Sequence, residues 1–465
     1  MSYEGARTIE TQDAYGRRVE DFAREYRPGK PSIVLLPGGM GSQLDRSDEP
    51  YESDASLPFH AYDPCWMDLG VLTGDALDLE ITPEGHDRAG HIIVPDGPLR
   101  FIIKTYDGTE TYFRERDENF IVFGFDWRRP LAESASYLHW FLRRFRERVM
   151  ARGLPDPLPT TTLLAHSMGG LVAKLFLHRV FKPNASPGDV AKWMASLVTV
   201  ATPFYGTSTH IDRYYEGQDF LNLIYTPPVI ARLAGTLPGP YILMFMDKAT
   251  YLRDGAALGL SRYPVRDAES EDEEADPYDQ VSFSRYPPWV SREFIRQAKQ
   301  TRQTITRALP DAVVPRVFHL RSGLETETAV ELLWEDIDGE SFDPLQDPSP
   351  ISAKPGPGDG TVPLWSARLP QIPDSQVYNL KKAEDHMELM EHYETLKVIS
   401  AIIERGTLPA RVQIPEEPSL AGPMASAKAV RKFLTEFAAG EAAMDDPRAT
   451  DPRIWRRIVE GSTLC

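Results

Sequence analysis

The chain has 465 residues, 42% hydrophobic and 26% charged, with 51 Lys and Arg against 69 Asp and Glu for a formal charge of −18. That length suits two ordinary domains or one large domain carrying insertions. The acidity argues against nucleic-acid binding through a basic face and against general adsorption to anionic membranes, leaving only transient contact through a local apolar patch. Two cysteines, Cys65 and Cys465, do not make a disulfide framework.

The opening MSYEGARTIETQDAYGRR has no apolar core, so it does not read as a secretory signal. No apolar run approaches about eighteen residues, so no spanning helix is expected and the cytoplasm is the expected location. The first strand is Ser32-Ile33-Val34-Leu35-Leu36, ending at Pro37-Gly38-Gly39. Residues 51–100 form an insertion rich in Gly, Pro and Asp that carries Trp66 and Cys65, the latter expected to be a partly buried structural thiol. Further apolar runs at 120–125, 161–165, 196–201, 316–320 and 376–380 suit strands buried on both faces.

Helices fall between them. Residues 131–150 place Leu138, Leu142, Phe145 and Val149 on one face, and helices are also expected at 168–181 and 388–404. Strand–helix alternation predicts an α/β fold with a mainly parallel sheet covered by helices. Residues 206–309 lack that rhythm. Their apolar clusters FLNLIY, PVIARLAG and YILMFM predict cap helices, and the acidic tract at 267–276 predicts a solvated loop. A hairpin-like insertion is expected at 326–342, and after Ile414 a Pro-containing linker leads to a helix near 426–439 and an amphipathic turn at 454–459. The expected division is a core at 1–206 and 310–410, a cap at 207–309 and a helical extension at 411–465.

Ala165-His166-Ser167-Met168-Gly169 follows an apolar strand and opens the helical run Gly170-Leu171-Val172-Ala173. A nucleophilic serine on a tight strand-to-helix turn needs small residues two before and two after it. Ser167 is therefore the candidate nucleophile of an α/β-hydrolase fold, the competing reading being an ordinary serine N-cap. A serine hydroxyl needs a base. In this fold the chain order is Ser, acid, His, which leaves His178, His210, His319, His386 and His392. His178 and His319 fall inside predicted elements, His210 falls in the cap and His392 within the last helix. His386, in the loop after the last strand, is the choice. Gly358-Asp359-Gly360 precedes it, and Asp359 can orient the imidazole. Backbone donors for an oxyanion are expected at Met168 and Gly39, with Met40 next. Met40, Phe204 and Tyr205 are candidate substrate contacts. No metal or nucleotide cofactor is called for, and no Gly-rich phosphate loop follows a strand.

Five segments together resemble the lecithin:cholesterol acyltransferase family, which also includes lysosomal phospholipase and phospholipid:diacylglycerol acyltransferases. They are Leu35-Leu36-Pro37-Gly38-Gly39-Met40-Gly41-Ser42-Gln43-Leu44, Asp126-Trp127-Arg128, the serine motif with Gly170, Gly358-Asp359-Gly360-Thr361-Val362-Pro363, and the surroundings of His386. The resemblance implies a triad of Ser167, Asp359 and His386, an oxyanion donor at Gly39, and a packing role for Asp126-Trp127-Arg128. It also implies acyl transfer from a lipid or other hydrophobic ester to water or an alcohol. Cys65-Trp66 resembles a lipid-contacting segment whose cysteine is bridged in secreted relatives; here it has no nearby partner, which fits a reducing compartment. Two rival readings are a cytosolic esterase or thioesterase for a soluble metabolite and a non-catalytic ligand-binding protein on a hydrolase scaffold. The sequence does not set the oligomeric state.

Overall fold

The computed structural model describes residues 2–47, 63–66, 79–88, 91–99, 106–208, 214–215, 227–267, 276–279, 286–332, 351–381 and 386–409. The strands are β1 (Ser32–Leu36), β2 (Ser42–Arg46), β3 (Asp63–Trp66), β4 (Ile93–Pro98), β5 (Asn119–Val122), β6 (Thr161–His166), β7 (Ser196–Val200), β8 (Val265–Asp267), β9 (Val317–Arg321), β10 (Leu324–Leu332), β11 (Ile351–Gly358) and β12 (Val377–Asn379). The α-helices are α1 (Tyr3–Glu25), α2 (Asp107–Glu115), α3 (Leu131–Ala151), α4 (Met168–Val180), α5 (Pro187–Ala191), α6 (Pro227–Thr236), α7 (Lys248–Asp254), α8 (Arg292–Ile305) and α9 (Tyr393–Arg405).

Six strands form one sheet in the order β12-β9-β7-β6-β1-β5, every pair parallel. The continuous apolar runs have their cause here, because successive residues point to opposite, equally covered faces. Val34 and Leu36 join Leu163 and Leu197 in a core with residues of α1, α3 and α4. Ile33 and Leu35 join Leu164, Val198 and Phe318 in a second core with Phe113 of α2 and Leu396, Ile399 and Ile402 of α9. The fold is therefore α/β, as the alternation predicts.

Several elements lie outside that expectation. Helix α1 is capped by the Ser2 side chain, which accepts from the Gly5 N–H at 3.2 Å. It buries Tyr15, Val19 and Phe22, with Tyr15 stacked on Phe123 at 4.9 Å and Phe22 on Phe145 at 4.5 Å. Two small three-stranded sheets, β3-β2-β4 and β11-β10-β8, flank the main one. In the second, β10 pairs antiparallel with β11, a strand beyond the 326–342 bounds expected for a hairpin, and parallel with β8 from within the inserted segment. Strand β5 ends at Val122, so 123–125 are not strand. The last helix starts at Tyr393 after a short 3-10 turn at Glu388–Met390, which makes His392 its N-cap instead of an interior residue.

The inserted segment is bonded to the loop after β7, through Thr207 N–H to the Leu243 carbonyl at 2.8 Å and Met246 N–H to the Tyr205 carbonyl at 3.0 Å. Arg302, fully buried on α8, donates to the carbonyls of Phe204 and Met244 at 2.8 and 2.7 Å. Residues 241–246 begin as a 3-10 turn (Pro240–Leu243) and are buried throughout, so this cluster is core. The FLNLIY cluster, most of the acidic tract, His210 and everything expected beyond 410 lie outside the described residues. No helix among the described residues is long and apolar enough to cross a membrane.

Candidate active site

Strand β6 delivers Ser167 to the N-terminus of α4 with φ 49° and ψ −125°. That left-handed backbone is costly for a residue with a Cβ and persists only where surrounding packing enforces it. The enforcing contacts are specific. Ser167 N–H donates to the Val200 carbonyl at 2.9 Å, tying the turn to β7. A Cβ at Gly169 would collide with the carbonyl oxygens of Leu36 and Pro37, and one at Gly170 with the Thr202 hydroxyl. Gly169→Ala is accordingly expected to cost about 1–3 kcal/mol through overpacking against immovable backbone. Thermal unfolding checks it, and a variant as stable as the parent would refute the steric account.

Ser167 stands at an N-cap position yet does not cap. Ser2, Ser186 and Ser291 have extended backbones and accept an N–H from the first turn of their helices. Ser167 makes no such bond, and its Oγ, in a residue only 1% exposed, has no partner. The N-cap reading therefore fails on geometry.

Asp359 follows β11 directly. Its Oδ1 accepts the N–H groups of Thr361 and Val362 at 3.0 and 2.7 Å, and its Oδ2 lies 2.9 Å from His386 Nδ1. The flanking glycines have distinct jobs. Gly360 adopts φ 89°, and a Cβ at Gly358 would strike Thr326 and the Val362 carbonyl. A carboxylate only accepts, so Nδ1 of His386 carries a proton, and in the neutral ring the lone pair is on Nε2. That Nε2 is buried and, like Ser167 Oγ, without a partner. The His386 carbonyl is held 3.0 Å from Nε2 of His166, the residue before Ser167. The structure thus brings Asp359 and His386 together and ties His386 to the serine turn.

Met168 is the first residue of α4, where N–H groups have no intrahelical acceptor. Gly39 and Met40 occupy a turn closed by Gly41 N–H to the Gly38 carbonyl at 3.2 Å, with Met40 at φ 61°. The indole N–H of Trp66 holds the Met40 carbonyl at 2.9 Å, and Trp66 packs edge-on against Trp127 at 5.2 Å. Cys65 beside it is a fully buried free thiol whose pKa burial pushes well up. Cys65-Trp66 is thus interior support for the loop after β1. The Phe204 ring lies 5.1 Å from His319 on β9. Tyr205 donates its hydroxyl to Asp254 at 2.9 Å and borders a cavity of about 580 Å³ lined by Asp247, Thr250, Arg253 and Gln371, to which Ser167, Asp359 and His386 do not contribute. Histidines 178 and 319 stand apart: Arg307 donates to His178 at 3.1 Å, and His319 Nδ1 is 2.6 Å from the Thr199 hydroxyl. Burial first, then neighbouring cations, hold both imidazoles at about 3.

Asp126-Trp127-Arg128 is a buried brace. Arg128, fully buried, donates to both oxygens of Asp126, to Asp87 at 3.0 Å and to the Leu79 carbonyl at 3.1 Å. Burial alone would raise the Asp87 pKa, but the guanidinium groups of Arg128 and Arg129 outweigh it and hold the carboxyl below its usual range. Sequence reasoning missed Asp87, Tyr106 and the work of His166. The last was visible as a histidine inside the serine motif, whereas nothing local marks the other two. Among the described residues no His, Cys, Asp and Glu side chains cluster as a metal site.

A six-stranded parallel sheet with a strained serine at a strand-to-helix turn and an Asp–His pair beyond later strands defines an α/β-hydrolase. The family model described as lecithin:cholesterol acyltransferase matches residues 109–233, so the resemblance read from the sequence holds over the stretch containing Asp126-Trp127-Arg128 and Ser167. That match supports a lipid acyl hydrolase or acyltransferase. The fold is similar to a chain of the crystal structure of the Tle4-Tli4 complex (TM-score 0.50, 13% identity, 81% of this chain and 99% of that one). A second similar structure is the mature Bacillus licheniformis lipase BlEst2 (TM-score 0.33, 12% identity, 82% and 94%). No curated protein sequence matches the chain.

Proposed function

We propose that the chain is a serine acyl hydrolase or acyltransferase working through an acyl-enzyme on Ser167, with a lipid or other hydrophobic ester as acyl donor. One observation carries this reading: Ser167 Oγ and His386 Nε2 are both buried without partners, while His386 Nδ1 is anchored 2.9 Å from Asp359. Buried polar atoms ordinarily find partners; Ser167 Oγ and His386 Nε2 are among the buried side-chain atoms that do not, and they are the two that acyl transfer would use.

In the proposed reaction Ser167 Oγ attacks the ester carbonyl carbon and His386 Nε2 takes the hydroxyl proton. Asp359 holds the imidazole tautomer and then faces the imidazolium. The N–H groups of Met168 and Gly39 stabilise the oxyanion. His386 returns the proton to the departing alkoxide, and water or an alcohol then takes the acyl group by the reverse sequence. Residues 207–309 act as a cap on a core of 1–206 and 310–410, and no cofactor takes part in the proposed steps. The preference for a hydrophobic ester rests on the family match over 109–233.

The test combines a fluorophosphonate probe with a substrate screen. Wild-type protein is expected to be labelled and Ser167→Ala not. Emulsified phospholipid is expected to turn over, with a competing alcohol revealing any transfer. Labelling that survives Ser167→Ala would sink the serine assignment, and turnover confined to short soluble esters would replace the lipid reading by an esterase.

A further inference from the structure

A run of hydrogen bonds beside Ser167 and His386 plays no part in the proton transfers above. The Gly38 N–H donates to Tyr106 Oη at 2.7 Å, Tyr106 Oη lies 3.0 Å from His166 Nδ1, and His166 Nε2 lies 3.0 Å from the His386 carbonyl oxygen. The directions are forced. A carbonyl only accepts, so His166 Nε2 carries a hydrogen. Burial, and then the nearby His386, hold the His166 imidazole well below its ordinary pKa, so it is neutral and has no second proton. Nδ1 therefore accepts, and Tyr106 donates to it. Tyr106, His166 and His386 are 2%, 1% and 3% exposed, so water does not substitute for these bonds.

The two ends of the run give it meaning. One is Gly38, adjacent to the proposed oxyanion donor Gly39. The other is the backbone of His386, whose ring is separately held by Asp359. Space has been left for the run: a Cβ on Gly38 would lie 3.2 Å from His166 Nδ1, and one on Gly41 would lie 3.1 Å from Tyr106 Oη. Tyr106 is also the N-cap of α2, whose first turn is bonded to the stretch after His386. Gly108 N–H donates to Glu391 at 3.0 Å and the Thr109 hydroxyl to the Met390 carbonyl at 2.6 Å.

We propose that Tyr106 and His166 are positioning residues that hold the His386 backbone and the oxyanion loop in register across the serine. The proposal rests on the reading of Ser167, Asp359 and His386 given above. The transition state needs base, nucleophile and oxyanion donors placed together within a fraction of an ångström, whereas binding an acyl chain does not. Loss of the run therefore acts on kcat and leaves KM. His166 also adds no like charge beside the His386 ring, 4.8 Å away centroid to centroid, when that ring takes the serine proton.

The experiment uses the full chain and three variants. Tyr106→Phe removes the central hydroxyl, His166→Leu removes both imidazole bonds, and His166→Gln keeps an amide N–H able to reach the His386 carbonyl. Tyr106→Phe and His166→Leu are expected to lower kcat about tenfold or more with KM within about twofold, and His166→Gln to recover most of the loss. A folded His166→Leu with wild-type kcat, or a His166→Gln no better than it, overturns the proposal. Nitrogen-15 NMR of histidine-labelled protein provides the arm that does not depend on activity or on the leucine variant folding. At pH 7 His166 is expected neutral with its proton on Nε2, keeping that tautomer in Tyr106→Phe but with its Nδ1 resonance shifted by loss of the Tyr106 donor; a cation or an Nδ1–H tautomer in the wild type, or an unshifted Nδ1 in the variant, refutes the run. Failure of wild-type Ser167 to react with the phosphonate overturns the acyl-enzyme reading instead, and the NMR result then decides the hydrogen-bonded run alone.

Discussion

Asp359→Asn is expected to lower kcat by about 10⁴-fold while leaving the protein folded. The size follows from which atoms the carboxylate already serves. Oδ1 accepts two backbone N–H groups, from Thr361 and Val362, and only an oxygen can stay there. The amide of an asparagine must then turn its NH₂ toward His386 Nδ1, 2.9 Å away in the parent. Two donors cannot share that contact, so the imidazole is driven to carry its proton on Nε2, the nitrogen that should take the proton of Ser167. The opposite amide orientation would set NH₂ against the two backbone donors and lose both bonds, at about 1 kcal/mol each. Steady-state kinetics on an emulsified ester, together with the rate of phosphonate labelling, measure the effect. A fall of less than about tenfold with unchanged thermal stability would mean that Asp359 does not set the tautomer.

Arg128→Met should instead damage the fold, by roughly 3–5 kcal/mol. Arg128 is buried and pairs with Asp126 at 2.8 Å and Asp87 at 3.0 Å, both among buried residues. Removing the cation leaves two carboxylates in the interior with Arg129 as their remaining common partner, 3.1 Å from Asp87 and 3.4 Å from Asp126. It also frees the Leu79 carbonyl, so the 79–88 stretch loses its brace. The expected reading is a Tm lower by about 3–5 °C. Adding Asp87→Asn should recover part of the loss, because one uncompensated charge is then gone. A Tm unchanged by Arg128→Met, or a double variant worse than the sum of the two single ones, would show that the network is not held by charge.

The two substitutions separate what the same polypeptide does in two places. Asp359 is surrounded by bonds that fix one imidazole, so its loss is expected to act on the proposed reaction. Arg128 bonds to Asp126, Asp87 and Leu79 and not to Asp359 or His386, so its loss is expected to act on the fold. Gly239, within the inserted segment, packs against the backbone of the same stretch. Its N–H donates to the Arg128 carbonyl at 2.8 Å, and a Cβ there would strike the Trp127 carbonyl.

The amino-acid sequence by itself determined the sheet and the serine turn, because both are encoded locally. Strands buried on both faces must be apolar at every position, so Ser32–Leu36 and Thr161–His166 announce themselves without knowledge of their neighbours. A serine turn pressed against the Leu36 and Pro37 carbonyls must have glycine two residues on, so Gly169 is readable too. Asp359 between glycines and His386 after the last strand follow from chain order. Helix α1 is written locally as well: Tyr15, Val19 and Phe22 repeat at helical spacing and all three are buried. Tertiary structure alone decided the rest. Tyr106 meets His166 across 60 positions, His166 meets the His386 carbonyl across 220, Trp66 reaches Met40 across 26, and Asp87 meets Arg128 across 41. Each is a polar pairing of a side chain with a distant side chain or backbone carbonyl, and no periodicity in the local sequence betrays it. Such pairs form because burial leaves a donor or acceptor that must be satisfied, and which partner satisfies it depends on how the layers pack.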